Sequence, residues 1–271
     1  MSTQGNRRYS QIGLDRLVRL EWLERTATLV LAGNEVSTVK AILQEELSGA
    51  FRSNNTKVRG SLDKTITILT KVWGDVPKNL YPFYKEGLNL LSHLPRENHI
   101  AVHWGMTMAV YPFWGAVANH LGRLLRLQGK AAASQVQRRV REQYGERETV
   151  SRRVRYLLRS FVDWEVLQET SEKGVYCYES NLFVYEPELI TWMMEASLRA
   201  RINGSAATRD LLDSPSIFPF RLAHISAEHV ASLSPRLNVL RHGLDDDLVM
   251  LREDHCKETK RSKLGESESS L

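Results

Sequence analysis

Apolar residues in the first hundred positions recur every three to five residues, the period of helices that bury one face. Leu14, Leu17, Leu20, Leu23, Thr28 and Leu31 set this pattern over 14–32, and Gly33-Asn34 ends it. A second helix is predicted over 35–51, with Val39, Ile42, Leu43 and Leu47 on one side, and the sequence RSNNT at 52–56 reads as a turn. A third helix is predicted over 58–73, closed by Gly74-Asp75-Val76-Pro77. A fourth covers 80–94, and Pro95 opens a fifth over 96–111. No strand-like alternation precedes residue 160, so 13–111 is expected to be an all-helical domain behind a flexible 1–12.

The pattern changes character after residue 112. A helix over 113–127 places Phe113, Val117, Leu121, Leu124 and Leu125 inside, and Gly129 breaks it. A short helix over 133–144 buries Val136 and Val140 and stops at Gly145. A third, over 147–161, puts Val150, Val154, Leu157, Leu158 and Phe161 on its inner face. Two alternating stretches follow, EVLQET at 165–170 and VYCY at 175–178, joined by the turn Ser171-Glu172-Lys173-Gly174.

Three helices, a tight turn between the second and third, and then a hairpin make an order that resembles the winged helix-turn-helix superfamily. The resemblance covers about 70 of the 271 residues and rests on order and spacing. It implies that the third helix enters the major groove of DNA and that the hairpin, or wing, touches the backbone or minor groove. The unit is expected at 112–186. Helices followed by such a unit also look like the small A-type component of bacteriophage-exclusion systems, a DNA-binding protein without known catalysis. That second similarity lies in architecture and a few apolar positions.

Beyond the wing, another helix is expected over 187–201, ended by Ile202-Asn203-Gly204-Ser205. Residues 216–251 read as mixed, with a short helix at 227–233 and strands at 237–241 and 248–251 around a turn at 243–247. The stretch 187–252 is thus expected to be a helix plus a small α/β region, and the charged, Ser-rich 253–271 a disordered tail. The expected fold class is mainly α: an N-terminal helical domain, a winged helix-turn-helix and a small mixed C-terminal region.

Charge then singles out one part of the chain. The net charge is +5, which favours an acidic partner without naming one. Between Arg123 and Arg159 stand eleven basic residues and only three acidic ones, Glu142, Glu146 and Glu148, so this window alone carries +8. With the aliphatic side of 147–161 turned inward, Thr149, Arg152, Arg153, Arg155 and Arg159 fall on the outer arc. Arginine there forks onto guanine or pins phosphates. Arg138, Arg139 and Arg147 extend the surface, Ser151 is placed to cap or to meet a phosphate, and Lys173 sits at the wing tip. These ten residues are the candidate DNA-binding set, and the expected partner is double-stranded DNA, bound by a homodimer or within a larger complex.

Other features point away from chemistry. His99 and His103 lie four apart on a helix, a spacing that can present two imidazoles to zinc. Ile100 stands where an H-E-x-x-H site needs its glutamate, and His93 falls outside the helix, so ordinary packing is expected. Asp245-Asp246-Asp247 behind His242 is better explained by a turn than by a magnesium site. No phosphate-binding glycine loop or nucleophile elbow occurs. Trp104, Trp114, Trp164 and Trp192 read as core, and Tyr156 is the one aromatic placed for base stacking. The two cysteines, Cys177 and Cys256, form no CxxC pair, and the opening residues carry Arg7 and Arg8 with no apolar stretch behind them. The broken apolar run at 100–118 does not suit a membrane span. A cytoplasmic, non-enzymatic DNA-binding protein without metal or cofactor is expected. Transcriptional regulation is the first reading and a non-catalytic role in a phage-defence or DNA-processing assembly the second.

Overall fold

The computed structural model describes residues 8–51, 57–179, 181–242 and 246–252, and within these the protein is mainly helical with three small sheets. The turn expected at 52–56, the tail at 253–271 and most of the turn at 243–247 lie outside the described residues. Helices α1 (Leu20–Leu31), α2 (Val36–Leu47), α3 (Lys57–Val72), α4 (Tyr81–His93) and α5 (Arg96–Val110) form the first half. Their apolar stripes face a common core that includes Leu23, Leu43, Leu69, Phe83 and Trp104.

Next come α6 (Pro112–Gln128), β1 (Lys130–Ala132), α7 (Ala133–Tyr144), α8 (Glu148–Asp163), β2 (Leu167–Glu169) and β3 (Val175–Tyr178). The strands make one antiparallel sheet in the order β1-β3-β2, with Ala131 opposite Tyr176 and Gln168 opposite Cys177. The last part holds β4 (Leu182–Val184), α9 (Pro187–Arg199), β5 (Ser205–Ala207), α10 (Thr208–Leu212), β6 (Phe220–Leu222), α11 (Ala227–Leu233), β7 (Leu237–His242) and β8 (Asp246–Leu251). Strand β4 pairs in parallel with β6, and β5, β8 and β7 form an antiparallel sheet in that order.

One hydrophobic cluster runs through all three parts and crosses the boundaries expected near 111 and 186. Trp104 on α5 is its hub. Its ring lies 5.2 Å from Trp114 on α6, 4.9 Å from Phe161 on α8 and 5.4 Å from Phe218 near the C-terminal region, while its indole N–H donates to the Ser216 carbonyl at 3.1 Å. On α9, Trp192 stacks on Phe83 at 4.2 Å. The four tryptophans read as core are buried.

Two expectations need correction. The helix predicted over 14–32 begins only at Leu20. Leu14 adopts a left-handed φ of 59°, and 11–19 runs without regular structure beside α8. Val18 donates its N–H to Ser160 Oγ at 3.0 Å and accepts from the Trp164 indole at 2.9 Å. Leu14 and Val18 are still buried, so their apolar character reports burial and not a helix. Secondly, a strand does precede residue 160. Strand β1 is three residues long and shows no alternation of its own, and pairing with β3 defines it. At the N-terminal edge of the described chain, Arg8 donates to the Ala109 carbonyl and the Tyr9 hydroxyl to the Arg199 carbonyl at 3.4 Å.

Candidate nucleic-acid interface

The surface is built by α8, the turn before it and the hairpin behind it. Helix α7 ends at Gly145, whose φ of 95° favours glycine, and three residues, 145–147, redirect the chain into α8. Arg147 fastens this turn by donating its guanidinium to the Tyr144 carbonyl at 3.2 Å. Val150, Val154, Leu157, Leu158 and Phe161 are all buried, and burying an apolar side chain of this size stabilises by roughly 1.5–3 kcal/mol. That anchored face dictates which side chains point out.

Thr149, Arg152, Arg155 and Arg159 are exposed. The spacing 152, 155, 159 repeats the helix period, so these arginines form one row about 10 Å long. Arg155 forms an ion pair with Glu148 of the same helix at 2.7 Å, with both groups in solvent, a weak arrangement that a phosphate can displace. Among the described residues neither Arg152 nor Arg159 has a carboxylate within ion-pair reach. On α7, Arg138 and Arg139 are exposed, and Arg139 meets Glu142 at 3.2 Å one turn along. Lys173 is exposed at the tip of the β2–β3 turn, where Gly174 has a φ of 76° and the Glu169 carboxylate accepts from its N–H at 2.6 Å. The hairpin is therefore of mixed charge.

Two residues of the expected set lie elsewhere. Ser151 is buried, and its hydroxyl has no hydrogen-bond partner. Arg153 is half-buried, and its guanidinium donates to the Ile12 carbonyl. Arg153 faces the flank of α8 along which 12–20 runs, a neighbour that the local pattern of α8 does not reveal, whereas Ser151 lies in line with Leu158 on the buried side of the helix. Tyr156 is half-buried.

The histidine pair has its own surroundings. His99, His103 and Glu24 do converge; Glu24 and His99 line a cleft of about 440 Å³ bordered by Arg19, Arg96 and Asp163, and His103 lies buried behind them. The indole N–H of Trp73 donates to His103 Nδ1 at 2.9 Å, which leaves His103 Nε2–H to donate to Glu24 at 2.7 Å. His99 Nδ1 lies 3.0 Å from the same carboxylate and its Nε2 lies 3.2 Å from the Leu94 carbonyl. Both partners of His99 are acceptors. The hydrogen bond from His103, with other contributions from the two histidines, holds the Glu24 carboxyl down at about 2, against the opposing effect of burial. Burial pushes the His103 pKa below its ordinary value. All four imidazole nitrogens are thus engaged with protein groups, and the cluster ties α1 to α5. Among the described residues no group of three or more His, Cys, Asp or Glu is arranged to hold a metal ion.

No family model, curated protein or solved structure matches the chain. Among the described residues, no helix is long and apolar enough to cross a membrane.

Proposed function

We propose that the protein is a winged helix-turn-helix protein that binds double-stranded DNA without catalysis, as a transcriptional regulator. The order helix, strand, two helices and hairpin, with the first strand closing the sheet, supports this reading. In it α8 lies in the major groove, Arg152, Arg155 and Arg159 meet base edges or phosphates, and Thr149 contacts the backbone near the start of the helix. Arg138, Arg139 and Arg147 line the approach, and Lys173 touches a flanking phosphate. The observation that carries the proposal is the outward arginine row on a helix whose opposite face is locked in the core. Anisotropy of a labelled duplex tests it: binding that weakens steeply with salt is expected, and failure to bind any duplex at low salt overturns it.

A second reading, a non-catalytic DNA-binding subunit of a phage-defence or DNA-processing assembly, draws on one further observation. Phe183 and Tyr185 on and beside β4 are exposed and stacked, with ring centroids 6.1 Å apart, and exposed aromatic rings suit a protein partner. A regulator prefers one operator, whereas such a subunit binds unrelated duplexes alike and recovers its partners in a pull-down.

A further inference from the structure

Behind the proposed DNA surface lies a second basic site. A cleft of about 800 Å³ opens between α6, the end of α7 and the stretch that follows α9, a size at which pockets take whole small molecules. Four arginines line it, Arg123, Arg126, Arg201 and Arg209, against two aspartates, Asp210 and Asp213. Among the described residues none of the four has a carboxylate within ion-pair reach. Arg126 donates to the Asp213 backbone carbonyl at 2.5 Å, and Arg201 donates to Ser214 Oγ at 3.1 Å.

Arg201 stands in the least favourable position. Burial depresses its pKa, Asp210 offsets part of that, and the positive charge of Arg123 adds to the depression. Two like charges therefore face one concave, partly desolvated space, which stabilises an anion. Ser197, also in the lining, has a buried hydroxyl with no partner. The unequal charge suits a ligand with two ends: a phosphate dianion between Arg123 and Arg201, and hydroxyl or amino groups toward Asp210 and Asp213.

We propose that this cleft binds a phosphorylated small molecule of nucleotide size, with its phosphate held between Arg123 and Arg201. Such a ligand also lies against Tyr144, the last residue of α7, whose ring packs edge-on against Phe113 at 5.0 Å. Tyr144 accepts the Arg147 bond that fastens the turn into α8, so occupancy bears directly on the helix that carries the arginine row.

The test is calorimetry and thermal unfolding of the full chain with AMP, ATP and inorganic phosphate as probes. At least one nucleotide is expected to bind and to raise the melting temperature, with inorganic phosphate weaker because it fills only one end. Arg123→Met and Arg201→Met are each expected to weaken the nucleotide by about tenfold or more. Arg123 is exposed, so its variant keeps the test available should the Arg201 variant fold poorly. No binding of any probe up to about 5 mM overturns the proposal. So does nucleotide binding that ignores both substitutions, or that disappears on replacing Arg152, Arg155 and Arg159, since either result places the nucleotide outside the cleft. Because that row lies on α8, failure of the cleft leaves duplex binding intact.

Discussion

Arg153 sits within the basic stretch of α8, yet its guanidinium donates to the backbone carbonyl of Ile12, 141 residues earlier. This bond divides the arginines of one helix into two kinds. Arg152, Arg155 and Arg159 face solvent, while Arg153 clamps the segment that also meets α8 through Ser160 and Trp164.

Arg153→Ala is therefore expected to act on stability before DNA. The loss is about 1–3 kcal/mol, from a part-buried carbonyl left unpaired and a packed stem removed. Chemical denaturation measures it, and hydrogen exchange should quicken over 12–18. A variant that loses duplex binding with unchanged stability would move Arg153 onto the interface.

Acid should loosen the contact between α1 and α5. The Glu24 pKa falls from 4.5 to about 2 on folding, so its stabilisation is fully present above 4.5 and is lost as pH drops toward 2. That contribution is on the order of 3 kcal/mol at neutral pH. His103, also depressed, works in the same direction, losing stability as pH falls below its ordinary 6.5. Glu24→Gln is expected to be less stable than wild type at neutral pH, with the difference shrinking on acidification. Urea unfolding across that range measures it, and parallel curves for the two proteins would argue against this role.

Much of this organisation was legible in the sequence because it is local. The bounds of α7 follow from one apolar stripe and the stop at Gly145, and α11 spans the short helix expected at 227–233. The outward row on α8 follows from where Val154, Leu157 and Phe161 must go. What escaped depends on remote partners. Lys130-Ala131-Ala132 becomes a strand only beside β3. Arg153 left the expected surface because a segment from the other end of the chain covers that flank, and Ser151 left it because it falls in line with Leu158 on the buried side. The spacing of His99 and His103 was visible, but Glu24 lies 75 residues earlier, and the Arg123–Arg201 cleft joins positions that no single helix pattern connects.

Gly122 marks a close approach between α6 and the C-terminal region. A Cβ there would overlap the Pro215 carbonyl oxygen and meet Phe218 Cβ at 2.8 Å. Gly122→Ala is expected to destabilise by about 1–3 kcal/mol, since backbone must move and not a flexible side-chain end. Thermal unfolding checks this, and an unchanged melting temperature would mean that the two segments separate easily.

If the outer face of α8 neutralises DNA phosphates, the salt dependence of binding reports how many. Duplex affinity should be measured over a range of salt for wild type and for the combined variant Arg152→Ala, Arg155→Ala and Arg159→Ala. If each arginine neutralises one phosphate, the slope of log affinity against log salt should become shallower by about 2 to 3, with affinity at physiological salt down by about 100-fold or more. Stability should stay within about 0.5 kcal/mol, as expected for exposed positions. An unchanged slope and affinity in a correctly folded variant would contradict the account.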